Sequence, residues 1–229
     1  MKVAVITAMV GNVIPVPEFK KQEGCDYFMV TDQKIEHDVW EIVKPSLFSE
    51  DDQYRSRRAC KIYKCIPEVM FSGYDMYIWH DICCYLKAPI SRILEELGSN
   101  DFAFFKHRER DCLYQEALEC MGGRDSVEKL QQQTQHYNHE GMPKNWSLLE
   151  TTSYVKKPSE FSTKIGMAWY EQICRFSSRD QISLPYVLWR NKAKWSTLPG
   201  KAQFRFHDKS SNDLIPSMHY TMHSKGLCK

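Results

Sequence analysis

Short apolar runs that end on polar turns alternate along this chain with stretches whose apolar residues recur at helical spacing. Residues 3–6 are continuously apolar, as in a strand covered on both faces, and residues 7–12 read as the turn that follows. A second such strand spans 27–30 and stops at Thr31-Asp32; a third, 75–81, ends on a carboxylate; a fourth covers 102–106. Residues 153–155 predict a shorter fifth. Residues 55–65 turn helical, with Ala59, Ile62 and Tyr63 inward, basic residues outward and Pro67 as the stop. Further helices are predicted over 112–121 and 125–138, separated by Gly122-Gly123, and over 167–176. Residues 182–189 suit a helix or a strand, with Pro185 arguing for a break. Beyond Gly200 the chain is polar, Ser/His/Lys-rich and weakly patterned.

This alternation predicts an α/β fold with a single, mostly parallel central sheet flanked by helices, whose ligands sit beyond the carboxyl ends of the strands. Neither GxGxxG nor a P-loop follows the first strand, which argues against the common dinucleotide and P-loop sites. The 229 residues suit one large domain, divided here into 1–200 as the folded unit and 201–229 as a polar C-terminal segment that could close over a site. With 42% hydrophobic and 26% charged residues, a mainly disordered chain, a collagen and a long coiled coil are excluded. A net charge of +2, from 31 basic and 29 acidic residues, leaves no broad field for nucleic acid or a membrane surface. The opening apolar run is broken at Thr7 and reads as a strand, and no run of about eighteen apolar residues occurs, so a cytoplasmic protein is expected. Nine cysteines without a CxxC predict reduced core thiols. Adjacent Cys83 and Cys84 would point to opposite faces of a strand, which argues against a zinc knuckle. The aromatic share of 13% suits either a large core or a stacking pocket.

Asp81 is the sharpest chemical feature. It ends the apolar strand carrying Tyr77, Ile78 and Trp79, where a carboxylate needs a divalent cation, an Arg or backbone donors as partner. Arg58 and Lys61, three apart, share a helix face and could hold phosphate oxygens or be merely solvated. His107, Arg110, Tyr114 and Glu116 follow the fourth strand, in a charge-dense segment that suits a sheet-end pocket or, taken alone, simply a solvated loop and helix start. Asp180, in Arg179-Asp180-Gln181, could take a proton from an attacking hydroxyl or cap the next segment. In the tail, His219 and His223 lack the Glu of a zinc-protease HExxH, so a zinc hydrolase is not expected.

In order along residues 1–190, five segments form a combined signature: Tyr27-Phe-Met-Val-Thr-Asp32, Arg58-Ala-Cys-Lys61, Tyr74 to Asp81, Phe105 to Ala117 and Ser178-Arg179-Asp180-Gln181. The set resembles the glycosyltransferase-like family of plant cell-wall and mucilage proteins, and the glycosyltransferase domains of large algal viruses. That resemblance implies a GT-A fold and a nucleotide-diphosphate sugar donor, UDP-sugar first, used with Mn2+ or Mg2+ on a glycan or glycoprotein acceptor. It places Asp81 on the metal, Thr7, Gly11, Thr31 and Asp32 at the nucleoside, and Arg58 and Lys61 at the diphosphate, with Trp79 beside them. His107, Arg110 and Asp180 fall around the sugar and acceptor, Asp180 as base for inversion or as sugar ligand for retention. Many GT-A enzymes carry Asp-x-Asp, whereas this segment reads Trp79-His80-Asp81, and Asp75 is too far back to share the ion. By its likeness to GT-A enzymes that recruit a C-terminal His followed by Gly and Lys, His223 is the expected second metal ligand, with Lys225 near phosphates. A catalytically silent sugar- or protein-binding domain is the competing expectation. Plant relatives are membrane-tethered in the secretory pathway; a viral chain would act in the host cytoplasm.

Overall fold

A computed structural model describes residues 1–11, 16, 20–46, 54–201 and 213–216. The strands are β1 (Val3–Met9), β2 (Cys25–Thr31), β3 (Glu41–Val43), β4 (Met76–His80), β5 (Phe102–Lys106), β6 (Leu149–Lys156) and β7 (Ser196–Thr197). The helices are α1 (Arg55–Cys65), α2 (Pro67–Met70), α3 (Ile90–Glu95), α4 (Leu113–Cys120), α5 (Val127–His139), α6 (Glu160–Arg175) and α7 (Asp180–Arg190). The strands form one sheet in the order β3-β2-β1-β4-β6-β5-β7. Four of its pairings are parallel, but β6 runs antiparallel to both neighbours. This reversal brings the start of β6 to the carboxyl ends of β4 and β5. There the Asp81 amide donates to the Thr152 carbonyl at 2.7 Å.

The β5–β6 register carries a bulge: Phe104 faces Tyr154, while Phe105 faces Glu150. Residues 151–153 of β6 are thus freed from pairing with β5, and a bulge of this kind re-aims side chains at a sheet end.

Alternation along the strands divides the core between two faces. Ala4, Ile6, Tyr77, Trp79, Phe104 and Tyr154 pack with residues of α1, α4, α5, α6 and α7. Val3, Val5, Ile78, Ala103, Phe105 and Val155 pack on the other side with Trp40, Ile90, Ile93, Leu214 and Ile215. No described helix is long and apolar enough to cross a membrane.

Several elements differ from their sequence-based expectation. The strand β1 continues to Met9, so Thr7 is a buried strand residue and not part of a turn. The basic residues of α1 do not all face outward, because Arg58 and Lys64 are 2% and 1% exposed. Helix α6 begins seven residues early, at Glu160, because Ser159 and Ser162 form a reciprocal capping box. Helix α7 continues through Pro185, embedded among buried Ile182, Leu184, Val187 and Leu188. Among the described cysteines Cys174 is exposed and Cys60 partly exposed; the other six are buried, and none of the eight is in a disulfide.

Helix α6 approaches the end of α1 closely at Gly166. A Cβ there would lie 2.2 Å from the Cys65 carbonyl oxygen and 2.9 Å from the Lys156 Nζ. Both groups are fixed, since buried Lys156 pairs with Glu68 at 2.7 Å and donates to that same Cys65 carbonyl. Gly166→Ala is expected to lower unfolding free energy by about 1–3 kcal/mol through this clash, measured by denaturant titration against wild type.

Candidate functional site

A pocket of about 560 Å³ opens beyond the carboxyl ends of β4 and β5, against the start of β6. Helix α1 contributes Arg57, Lys61 and Lys64, the end of β4 gives Asp81, and Thr151 and Thr152 come from the bulged part of β6. The segment after β5 supplies residues 107–110, α4 supplies Glu116 and Glu119, and Arg179, Asp180 and Gln181 enter at the start of α7; Arg124 completes the lining. Seven Lys and Arg side chains face five carboxylates, an excess that suits an anionic ligand.

At its centre lies a chain of alternating charges. Asp180 Oδ2 is 3.0 Å from the Lys61 ammonium and 2.6 Å from that of Lys64, and Lys64 is 3.5 Å from Asp81 Oδ1. Spacing on α1 produces this grouping, since residues three apart share a helix face. Burial pushes the Asp180 carboxyl up, but Lys61 and Lys64 outweigh it and hold the group well below the usual carboxylate range. Burial likewise pulls Lys64 down, and Asp180 and Asp81 more than reverse this. Both groups are therefore charged at neutral pH. Trp79 braces the free end: its indole N–H donates to Asp81 Oδ1 at 3.0 Å, and the Lys64 ammonium lies 5.1 Å from its ring centre. Beneath Asp81, burial lowers His80 to about 4, so the ring is neutral and its Nδ1 can donate to the Asp81 carbonyl at 3.0 Å.

The second half of the pocket is built on His107. Its Nδ1 accepts the backbone N–H groups of Glu109 and Arg110, which places the ring proton on Nε2. Burial lowers its pKa, with Glu116 pulling up and Arg110 pushing down. Arg110 donates twice to Glu116 Oε2, at 2.9 and 2.6 Å. Glu150, on β6, lies behind this wall with Oε1 3.8 Å from His107 Nε2 and with Oε2 accepting from Gln181 at 3.1 Å. Burial pushes the Glu150 carboxyl up to about 7, against the opposing pull of Arg108 and Gln181.

The structure thus brings together Lys61, Asp81, His107, Arg110 and Asp180 in one pocket, with Trp79 behind Asp81. Arg58 is not brought there. Its guanidinium donates to the carbonyls of Ile173 and Phe176, tying α1 to the end of α6. Thr7 and Thr31 are fully buried strand residues. Gly11 and Asp32 do meet: the Gly11 amide, at φ +91°, donates to the Asp32 carboxylate at 3.1 Å beside Ser56 of α1. His223 and Lys225 lie outside the described residues. Lys64 and Glu150 escaped the sequence reading. Lys64 had a usable signal in its Lys61-Ile-Tyr-Lys64 spacing, whereas Glu150 looks like any polar residue opening a strand.

A family model described as TOD1/MUCI70, glycosyltransferase-like domain, matches residues 18–219. No match is found among curated protein sequences. The fold is similar to mouse xyloside xylosyltransferase 1 in its apo form, with TM-score 0.53 and 9% identity over 90% of this chain and 88% of that one. It is also similar to the apo structure of the bifunctional glycosyltransferase WbbM, with TM-score 0.53 and 14% identity over 93% of this chain and 41% of that one. The single helix-flanked sheet is thus a GT-A arrangement.

Two outcomes are expected from these electrostatics. Asp180→Asn leaves buried Lys64 without its nearer counter-charge and should cost on the order of 3 kcal/mol in unfolding free energy, read by denaturant titration. For Glu150, the folded protein retains a proton that the unfolded chain releases near 4.5, so this group costs stability as pH rises from about 4.5 towards 7. Glu150→Gln should therefore gain on wild type by on the order of 2 kcal/mol between pH 5 and pH 8, measured by denaturation at both values.

Proposed function

Because the chain belongs to the TOD1/MUCI70 glycosyltransferase-like domain family, we propose that it transfers a sugar from a nucleotide-diphosphate sugar, a UDP-sugar first, to a hydroxyl of a glycan or glycoprotein. The observation that carries this reading is the line Asp81–Lys64–Asp180–Lys61 across a cation-rich pocket at the carboxyl ends of the strands. Leaving-group departure in such a transfer places negative charge on a diphosphate, and fixed cations aimed at that charge lower the barrier.

A divalent metal fits this site in one way. No group of three His, Cys, Asp or Glu side chains among the described residues could form a protein cage. Asp81 does offer one carboxylate, 42% exposed, at the pocket. Mg2+ and similar ions are often held by one or two carboxylates together with substrate phosphates, so Asp81 suits an ion that shares the diphosphate. Bound there, the ion would supply charge neutralisation for the leaving group.

The chain's own residues supply the rest. Lys61, 15% exposed, extends positive charge along the pocket toward a diphosphate. Asp180 fixes both lysines. A carboxylate held so far below its usual range is a weak proton acceptor, so its place here is that of an anchor for the lysines and a ligand for sugar hydroxyls. His107 and Arg110, on the opposite wall, orient the sugar and acceptor, with Arg110 aligned by Glu116.

Release of nucleoside diphosphate from a nucleotide-sugar panel with Mn2+ tests the reading. Turnover of at least one donor is expected, and neither turnover nor donor binding would leave a silent GT-A domain in its place. Asp81→Asn should abolish the Mn2+-dependent part of donor binding while the protein stays folded, since an amide oxygen can still accept from Trp79. A retained Mn2+ response in calorimetry would remove Asp81 from the metal.

A further inference from the structure

Lys64 belongs to the charged line of the pocket, but its contact with Asp81 is one that the proposed chemistry does not use. Its ammonium is nearly inaccessible, with 1% side-chain exposure, yet it touches the carboxylate assigned to the metal, at 3.5 Å. It is also held in place. Asp180 of α7 grips it at 2.6 Å, the Trp79 ring lies beneath it, and the Tyr154 hydroxyl donates to the Lys64 backbone carbonyl. An ammonium fixed in this way is a permanent counter-ion of Asp81.

A divalent ion bound to Asp81 stands about 2 Å from a carboxylate oxygen. It is then within about 6 Å of the Lys64 nitrogen, because that nitrogen lies 3.5 Å from Oδ1. Like charges at that distance in a partly enclosed site repel appreciably. Asp81 by itself is a single carboxylate, already shared with an ammonium and an indole N–H. A diphosphate changes the balance: its oxygens can meet the metal, and its negative charge offsets the repulsion from the nearby Lys64 and Lys61.

We propose that Lys64 is a built-in competitor for the metal site, which keeps Asp81 from taking a divalent ion alone and makes metal and nucleoside diphosphate bind as a pair. This rests on the glycosyltransferase reading and adds to it a regulated order of assembly. By linkage, each of the two ligands must then raise the affinity of the other by the same factor. Lys64 would be a positioning residue that reserves the site for loaded donor.

Mn2+ binding to the intact chain, followed by electron paramagnetic resonance and calorimetry, tests this without turnover. Wild type should take up Mn2+ at least about tenfold more tightly with saturating UDP than without it, after correction for the Mn2+–UDP complex in solution. Lys64→Met keeps the apolar stem and removes the charge. It should raise the affinity for Mn2+ alone about tenfold or more and shrink the UDP effect. Adding Asp81→Asn to that variant should abolish the gained binding. Wild-type Mn2+ affinity that is the same with and without UDP overturns the proposal and leaves the donor-binding reading standing. Unchanged Mn2+ affinity in a folded Lys64→Met also overturns it. If that variant does not fold, Lys64→Gln, which also removes the charge but keeps a hydrogen-bond donor for Asp180, is read by the same two outcomes. Absence of UDP binding under all conditions overturns the functional reading and this inference together.

Discussion

The ion pair between Lys64 and Asp180 is the constraint on which the rest of the site depends. Neither charge could stay buried alone, since an unpaired ion in a protein interior costs several kcal/mol. At 2.6 Å they satisfy each other, and Lys61 adds a second cation at 3.0 Å. Because Lys64 comes from α1 and Asp180 from the first turn of α7, the pair fixes two helices distant in sequence. Trp79 and Asp81 then take their positions from β4 against that fixed charge. Energetically such a pair is weak evidence for stability, but it is strong specification of place, because few arrangements can satisfy both ions.

A second constraint comes from the sheet. With β6 antiparallel between β4 and β5, its first residues lie at the carboxyl ends of its neighbours, and the bulge frees 151–153 from pairing with β5. The Asp81 amide is held by Thr152, and Glu150 is carried behind His107. The two halves of the pocket thus differ electrostatically: Lys64 and Asp180 hold each other charged on one side, and on the His107 side burial brings a carboxyl to about 7.

Much of the scaffold was legible along the chain. The apolar run of 102–106 and the helix of 55–65 appear with the bounds their patterns imply, because each buries its apolar residues at the period of its element. Pattern was less informative for α7, where Pro185 signals a break but buried neighbours on nearly every side keep the helix intact. It also misassigned Arg58, whose residue type suggests an anion but whose guanidinium closes the carbonyl ends of α6. For the site, Asp81 stood out because a carboxylate ending an apolar strand demands a partner. Glu150 carried no such mark, since its environment is built by His107, Glu116 and Gln181 from three other segments.

The sequence by itself determined the α/β architecture, the strand-end position of Asp81 and the set of residue types, through periodicities that act over a few residues and a family signature spread across most of the chain. Tertiary structure alone decided the charge partners. Lys64 and Asp180 are 116 positions apart, and helical spacing could suggest that Lys61 and Lys64 share a face but not what that face meets. Burial energies and pKa values follow from distances of a few ångströms, and only the folded sheet brings those groups that close.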